Sequence, residues 1–267
     1  MDFMNDQFVV SKIHNEEYGG LKFSELPDEV KHKFLEYEMS IELLVGATDG
    51  DVLDVFARIN SYTVTLNKLE LLNAKYNGIF KQTVFELGRE HLEFWIRNRI
   101  LRDRGIARMK EAELCTDLVI AMVDGIHDNK RKTIELYFRR WDDEFPERSA
   151  VVDQFRHCID HLAGIYSGIP LQSVFRNPVL FYSLFLVIFD MSFGLPGSNA
   201  RRVTIKEDML ARIRGVISNL EGELKAEAAS PEFALFKDAT KRSTADRSKR
   251  ELRHRVILEE IMKSIGG

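Results

Sequence analysis

Four polar residues flank one short connection in the first third of the chain. In "FARINSYTVTLNKLELLNA" (56–74) they are Arg58, Asn60, Glu70 and Asn73. A guanidinium can bind phosphate bidentately, and carboxamides or a carboxylate can orient the bound group. The same stretch can also build a turn, because Asn60 can end one helix while Asn67 and Glu70 have the spacing of a capping box. Residue types and spacing alone leave both interpretations open.

A basic stretch near the C-terminus is a second candidate for phosphate binding. Eight basic residues lie between positions 237 and 255, against three acidic ones. Arg247, Arg250 and Arg253 fall on neighbouring positions of a predicted helix, beside a loop rich in serine and threonine. Such a face can bind phosphate, or it can be a solvated helix end with ion pairs inside the chain. The candidates for DNA or phosphate binding are Lys241, Arg242, Arg247 and Arg250.

Three short motifs suggest metal chemistry that their surroundings do not support. "PDEVK" (27–31) contains the residues of the nuclease pattern Pro-Asp…Glu-x-Lys, but here its two halves are adjacent at a helix start. Proline and acidic residues favour the first turn of a helix. "HCIDH" (157–161) places two histidines on one helical face but lacks the glutamate of a zinc protease. "DGDVLD" (49–54) is shorter than a calcium loop, and a capped helix start explains it. We therefore expect no metal site.

Composition restricts the class of protein. The chain has 267 residues, 45% of them hydrophobic and 30% charged, with a net charge of -4 and a pI near 6.0. Any nucleic-acid surface must therefore be local. Cys115 and Cys158 lie far apart, which argues against a disulfide framework and suits a reducing cytoplasm. The most apolar run, 179–189, is too short to span a bilayer, so we expect a cytoplasmic protein without membrane segments.

The elements that would position these residues are almost all helices. Helical patterns are predicted over 80–100, 106–126, 130–143, 149–166, 178–193, 203–226, 231–240 and 246–264. The run 178–193 starts with an asparagine cap and a proline and is apolar nearly all round, which is typical of the central helix of a bundle. One strand is predicted at 37–45, where apolar residues alternate with glutamate and serine. A lone strand needs partners, from another chain or from a missing part of its own sheet.

The stretch 56–81 is similar to a signature of a large prokaryotic family, Phe-x-Arg-Ile-Asn followed by Glu-Leu-x-Asn-Ala. On this basis the chain resembles the ParB/sulfiredoxin-like domain that forms the N-terminal part of GmrSD-type modification-dependent restriction enzymes. The other similar segments are "MDFMNDQF" (1–8), "ARMKEAEL" (107–114), "NPVLFYSLFLVIF" (177–189) and "ATKRSTADRSKRELRHRVI" (239–257). The resemblance implies a mainly α chain. A remnant of a ParB-like α/β domain (1–78) would precede a helical bundle domain with a basic C-terminal helix (79–267).

The resemblance also implies an activity that this sequence does not fully encode. Family members carry an Asp-Gly-Gln-Gln-Arg motif associated with nucleotide hydrolysis or DNA processing in anti-phage defence, with nucleoside triphosphate and Mg as expected cofactors. That motif is absent from this sequence. We therefore expect a truncated or split member, inactive by itself and binding no cofactor alone. In it, Arg58, Asn60, Glu70 and Asn73 would form half of a phosphate or nucleotide site.

Two other functions remain open at this point. The chain can be a helical interaction subunit, whose strand at 37–45 completes a sheet with a separately encoded protein. It can also be a DNA-binding helical domain that uses the basic tail, in which case its affinity should be weak and should fall steeply with salt. The resemblance associates the family with nucleotide hydrolysis and DNA cleavage, and it leaves open whether this chain is an enzyme.

Overall fold

The structure is a computed structural model, and it describes residues 9–10, 15, 17–39, 41, 43, 45–48, 50–52, 55, 67–227 and 230–266. Within these residues the secondary structure is helical, apart from one isolated bridge between Val9 and Lys22. The chain divides into two compact units, 1–59 and 60–267. The mainly α fold class is therefore confirmed, whereas the described residues contain no ParB-like sheet.

Among its described residues, the first unit contains helix α1 (Asp28–Leu35), which follows a 3-10 turn at Phe23–Glu25. Pro27 precedes α1, and two acidic residues occupy its first turn, so "PDEVK" is a helix start. None of the described residues in 37–45, where a strand is predicted, is in a strand in this chain by itself. The physical reason is that an extended segment has no hydrogen-bonded ladder without a neighbouring strand.

The second unit is a helical assembly around a continuous apolar core. Its helices are α2 (Lys68–Lys75), α3 (Ile79–Glu90), α4 (Leu92–Arg97), α5 (Asp103–Ile106), α6 (Lys110–Asp124), α7 (Arg131–Arg140), α8 (Arg148–Ser167), α9 (Pro178–Phe193), α10 (Glu207–Lys225), α11 (Ala234–Ala239) and α12 (Arg247–Ile265). Residues 67–78, which the sequence-based division groups with the first domain, lie in this unit. Leu69 and Leu72 of α2 are part of its core.

Helix α9 lies at the centre of the second unit. The Asn177 side chain accepts a hydrogen bond from the Val179 amide at 2.9 Å, and Pro178 occupies the first turn, where a missing N–H is least costly. Every residue from 180 to 191 is buried, and α9 packs against α6, α8 and α12. The predicted central helix at 178–193 is confirmed. Because α9 is surrounded, its polar residues Ser183 and Asp190 are buried too and need partners.

One predicted helix, 80–100, is divided in two. The backbone of His91 leaves the helical region (φ -100°, ψ 21°), so α3 ends at Glu90 and α4 begins at Leu92. The break lets the indole of Trp95 donate to the Gly88 carbonyl at 3.0 Å while its ring is fully buried. Among the described helices, none combines the length and the apolar content that crossing a membrane requires.

Candidate functional site

The predicted phosphate site is described only in its second half, because Arg58 and Asn60 lie outside the described residues. In that half, Asn67 caps α2, and its side chain accepts hydrogen bonds from the Leu69 and Glu70 amides at 2.9 Å each. Glu70 reaches back to accept from the Asn67 amide at 2.7 Å. The capping box that the spacing predicts is therefore confirmed. It gives Asn67 and Glu70 a structural role at the start of α2.

Glu70 also forms a bidentate ion pair with Arg108. The Arg108 Nε and Nη2 atoms donate to the two carboxylate oxygens at 2.6 and 2.9 Å. These hydrogen bonds hold the pKa of Glu70 below its usual range. Asn73, half-buried on the same helix, contributes its backbone carbonyl to Lys81 at 2.8 Å. The carboxylate of Glu70 is thus occupied by partners within the chain.

We expect Glu70→Gln to lower the free energy of unfolding by about 1–2 kcal/mol near neutral pH, because it weakens the cap and removes the ion pair. The pKa of Glu70 is lowered in the folded protein. The contribution of Glu70 to the free energy of unfolding is therefore present above its pKa in the unfolded chain, about 4.3. It is lost as the pH falls through the lower pKa of the folded protein. Urea unfolding at about pH 7 and about pH 3 should show the deficit of the variant shrinking at the lower pH.

The matched control for this prediction is Glu86→Gln. Glu86 also pairs with an arginine, Arg148, at 2.8 Å, but its side chain is 60% exposed. Surface pairs of this kind contribute little, so the control should change stability by less than about 0.5 kcal/mol. An equal effect of the two variants, or a Glu70→Gln deficit that does not depend on pH, would contradict the assignment.

A cavity of ≈ 350 Å³ lies in the second unit, and we call it the polar cavity. Three segments, 107–114, 177–189 and 239–257, each contribute at least three lining residues. Segments that are far apart in sequence therefore converge at one place. The polar side chains that define the cavity are Glu113, Asp117, Asn129, Tyr182, Arg250 and Arg253.

A buried ion pair is the main electrostatic feature of the polar cavity. Arg250 Nη2 donates to Asp117 Oδ2 at 2.9 Å, and both side chains are 6% exposed. The guanidinium also donates to the His127 carbonyl at 3.3 Å and lies 4.3 Å from the centre of the Tyr182 ring. Burial opposes the charge of Arg250, but the Asp117 carboxylate and the Tyr182 side chain outweigh it, so the pKa of Arg250 is raised. Arg250 is therefore charged inside the core.

Asn129 connects this ion pair with helix α2. Its side-chain amide donates a short hydrogen bond to Asp117. Its backbone carbonyl accepts a hydrogen bond from Lys68 Nζ at 3.2 Å. Lys68 also pairs with Glu113 at 3.0 Å, and Lys110 pairs with the same carboxylate at 2.5 Å. Burial would raise the pKa of Glu113, but the two lysines outweigh burial and lower it. The helix that carries half of the predicted phosphate site is thus bonded to the polar cavity.

Arg253 is fully buried and binds only neutral acceptors. It donates to Ser183 Oγ at 3.1 Å and to the carbonyls of Ala239 and Thr244 at 2.7 and 2.8 Å. Ala239 ends α11, so Arg253 satisfies a carbonyl at a helix C-terminus, where a cation is favoured. Burial and the neighbouring Arg250 lower the pKa of Arg253 to about 10. Arg253 therefore holds the loop after α11 against the core.

Several polar atoms of the lining are buried without a hydrogen-bond partner in the structure. They are Asp117 Oδ1, Asn129 Oδ1, Tyr182 Oη and Arg250 Nε. Buried polar atoms in folded proteins are almost always paired, so such atoms mark where a polar molecule can be held. With two acceptors, one donor and a hydroxyl that can both donate and accept, the arrangement is suited to binding a small polar molecule.

The basic tail is divided between the surface and the core. Lys241, Arg242 and Arg247 are exposed, and Arg247 pairs with Glu251 at 2.7 Å. Arg250 lies instead in the polar cavity, because α12 packs against α9, α10 and α11. Of the four candidates for DNA binding in the tail, three therefore lie on the surface and one does not.

Sequence reasoning missed Asp117, Asn129 and Tyr182 as members of this site. A signal for Asp117 was present, because it is the one charged residue in the run "LCTDLVIAMV" (114–123). A lone carboxylate on a helix that is otherwise buried must find a cationic partner. The sequence contains no comparable signal for Asn129 or Tyr182, whose partners are distant in the chain.

The two histidines of "HCIDH" lie on α8, with their Nε2 atoms 3.1 Å apart. Among the described residues there is no group of three or more histidine, cysteine, aspartate or glutamate side chains that could hold a metal ion. No family model, no curated protein and no solved structure matches this chain.

Proposed function

We propose that the chain is a helical subunit of an anti-phage restriction system of the GmrSD type, acting with a separately encoded protein. In this proposal the partner carries the Asp-Gly-Gln-Gln-Arg motif, and nucleoside triphosphate with Mg is bound at the partner's motif. The resemblance of five sequence segments supports the type of system. Three of these segments line the polar cavity, which supports the proposal that they belong to one functional site.

The observation that carries the partner proposal is the exposure of the segment 37–45. Its five apolar side chains at alternate positions are each 74–85% exposed: Tyr37, Met39, Ile41, Leu43 and Val45. In an extended conformation, residues two apart share one face. A contiguous apolar face that is open to water is typical of an interaction site. Strand addition to an exposed sheet edge would provide backbone hydrogen bonds for affinity and would bury these side chains.

The test is capture of the partner by the tagged full chain in the native host, followed by identification of the captured protein. The double variant Ile41→Lys with Leu43→Lys should weaken capture by at least about 100-fold, since two large apolar side chains would no longer be buried. The control Glu38→Lys changes a polar position of the same segment and should leave capture unchanged. Hydrogen exchange should show slowed amides in 37–45 only in the complex.

Each outcome bears on a separate part of the proposal. A captured protein that contains the Asp-Gly-Gln-Gln-Arg motif supports the restriction-system assignment, and one without it refutes that assignment. Capture that persists in the lysine double variant refutes strand addition through 37–45.

A second candidate function, DNA binding through the tail, is favoured by one observation. Lys241 and Arg242 are exposed, and in the described part of the chain no carboxylate forms an ion pair with either of them. The contribution of Lys241 and Arg242 to DNA binding can be measured against that of a second basic surface, at residues 97–105.

A further inference from the structure

Four arginines lie close together in "RNRILRDRG" (97–105), outside every motif considered so far. Arg97, Arg99, Arg102 and Arg104 are exposed, and Asp103 is the only acidic residue among them. Among the described carboxylates, none forms an ion pair with any of these four guanidinium groups. A chain with a net charge of -4 therefore has a strongly cationic patch between α4 and α6.

The patch borders a groove of ≈ 730 Å³ between residues 96–103 and 171–178, which we call the arginine groove. Its polar lining consists of three arginines, one acidic residue and three neutral residues: Arg99, Arg102, Arg176, Asp103, Gln172, Ser173 and Asn177. Leu101 and Pro178 line both this groove and the polar cavity, so the two are adjacent. The groove therefore borders the polar cavity.

Arg176 adds a buried positive charge to the groove. Its guanidinium donates only to neutral acceptors, including the carbonyls of Pro170 at 2.9 Å and Asn98 at 2.7 Å. Burial and, to a lesser degree, the nearby Arg99 lower the pKa of Arg176. Its hydrogen bonds position the two sides of the groove, and its charge is not cancelled by a carboxylate among the described residues. The electrostatic potential of the groove is therefore positive from within as well as at its rim.

Arg99 occupies a backbone position that favours glycine. The Ile100 amide donates to the Trp95 carbonyl and the Arg99 amide to the Ile96 carbonyl, both at 2.9 Å, which is the Schellman pattern at the end of α4. In that pattern the residue at position 99 is left-handed, and Arg99 has φ 55°. Glycine adopts this conformation without steric cost, whereas arginine is strained there. A strained arginine that forms no ion pair with any of the described carboxylates indicates a side chain that is needed for binding.

We propose that the arginine groove binds the phosphate backbone of a nucleic acid. Guanidinium groups bind phosphate bidentately, and side-chain amides such as Gln172 commonly donate to phosphate oxygens. One small anion could neutralise one or two of the exposed guanidiniums, but a polymer with repeated phosphates can neutralise all four. This site does not depend on the protein partner proposed above, so it is tested on the full chain alone.

The experiment measures binding of a labelled DNA duplex of about 20 base pairs by fluorescence anisotropy across a range of salt concentrations. Arg99→Gly should weaken binding about fivefold to tenfold and lower the steepness of the salt dependence by about 1. The same variant should raise Tm by about 2–4 °C, because it relieves the left-handed strain. A gain in stability together with a loss of binding separates a ligand contact from a structural role.

Three variants control for strain and for charge. Ser243→Gly relieves a second exposed left-handed residue (φ 50°) outside the groove, so it should raise Tm and leave binding unchanged. Arg102→Gln should weaken binding, whereas Arg102→Lys keeps the charge and should retain most of it.

Four results would overturn the proposal. Arg99→Gly could raise Tm while leaving affinity and salt dependence unchanged. The variant Lys241→Gln with Arg242→Gln could abolish binding that the groove variants leave intact, which would assign DNA to the tail. Polyglutamate of equal charge could compete as well as DNA, which would indicate an acidic protein as the partner. Inorganic phosphate could stabilise the chain through Arg99 and Arg102 without any DNA binding, which would indicate a free anion.

Discussion

Replacing Arg250 by alanine should lower the free energy of unfolding by about 3–5 kcal/mol, which is the usual result of removing one partner of a buried ion pair. The variant leaves the Asp117 carboxylate, which is only 6% exposed, without its ion-pair partner. It also removes the hydrogen bond to the His127 carbonyl and the contact with the Tyr182 ring. Urea or thermal unfolding of the parent and the variant measures the difference directly.

The control is Arg247→Ala, three residues earlier on the same helix. Arg247 is 69% exposed in its side chain and pairs with Glu251 across one turn, so its loss should change stability by less than about 0.5 kcal/mol. Asp117→Ala with Arg250→Ala should be less damaging than the sum of the two single variants, because no unpaired charge remains. Equal effects of Arg247→Ala and Arg250→Ala would mean that Arg250 is not buried as an ion pair.

Replacing Asp190 by alanine should lower the free energy of unfolding by about 3–4 kcal/mol, because several buried polar groups would lose a shared acceptor. Asp190 is completely buried on α9. It accepts from the Leu195 amide at 2.8 Å and from Ser198 Oγ at 2.6 Å, and its Oδ2 lies 3.2 Å from His254 Nε2. The carboxylate thus joins α9, the following loop and α12.

The pH dependence of this second effect has a definite sign. Burial would raise the pKa of Asp190, but the contacts with His254, Leu195 and Ser198 outweigh burial and lower it. Its contribution is therefore present above the unfolded pKa of about 3.9 and is lost as the pH falls through the lowered folded value. The deficit of Asp190→Asn against the parent should shrink with falling pH. Ser198→Ala removes one hydrogen bond and should cost only about 1 kcal/mol; a larger loss there than in Asp190→Ala would contradict this arrangement.

Local signals in the sequence were sufficient for most of the helices. The Asn177–Pro178 start of α9 and the Asn67–Glu70 capping box of α2 depend on contacts within one helical turn, and both predictions are confirmed. The break at His91 was missed, because it depends on how Trp95 packs rather than on a turn residue. The candidate phosphate site was predicted less completely: Arg58 and Asn60 lie outside the described residues, and Glu70 is held by Arg108.

The sequence by itself determined most of the helical segments, the caps that begin α2 and α9, and that 178–193 must be surrounded by other helices. Periodicity also placed Arg247 and Arg250 on neighbouring positions of one helix. Only the tertiary structure decided that Arg247 is in water while Arg250 pairs with Asp117, 133 positions away in the chain. The physical reason is that helix formation depends on residues within a few positions, whereas the burial of a charge depends on which distant segment supplies its partner.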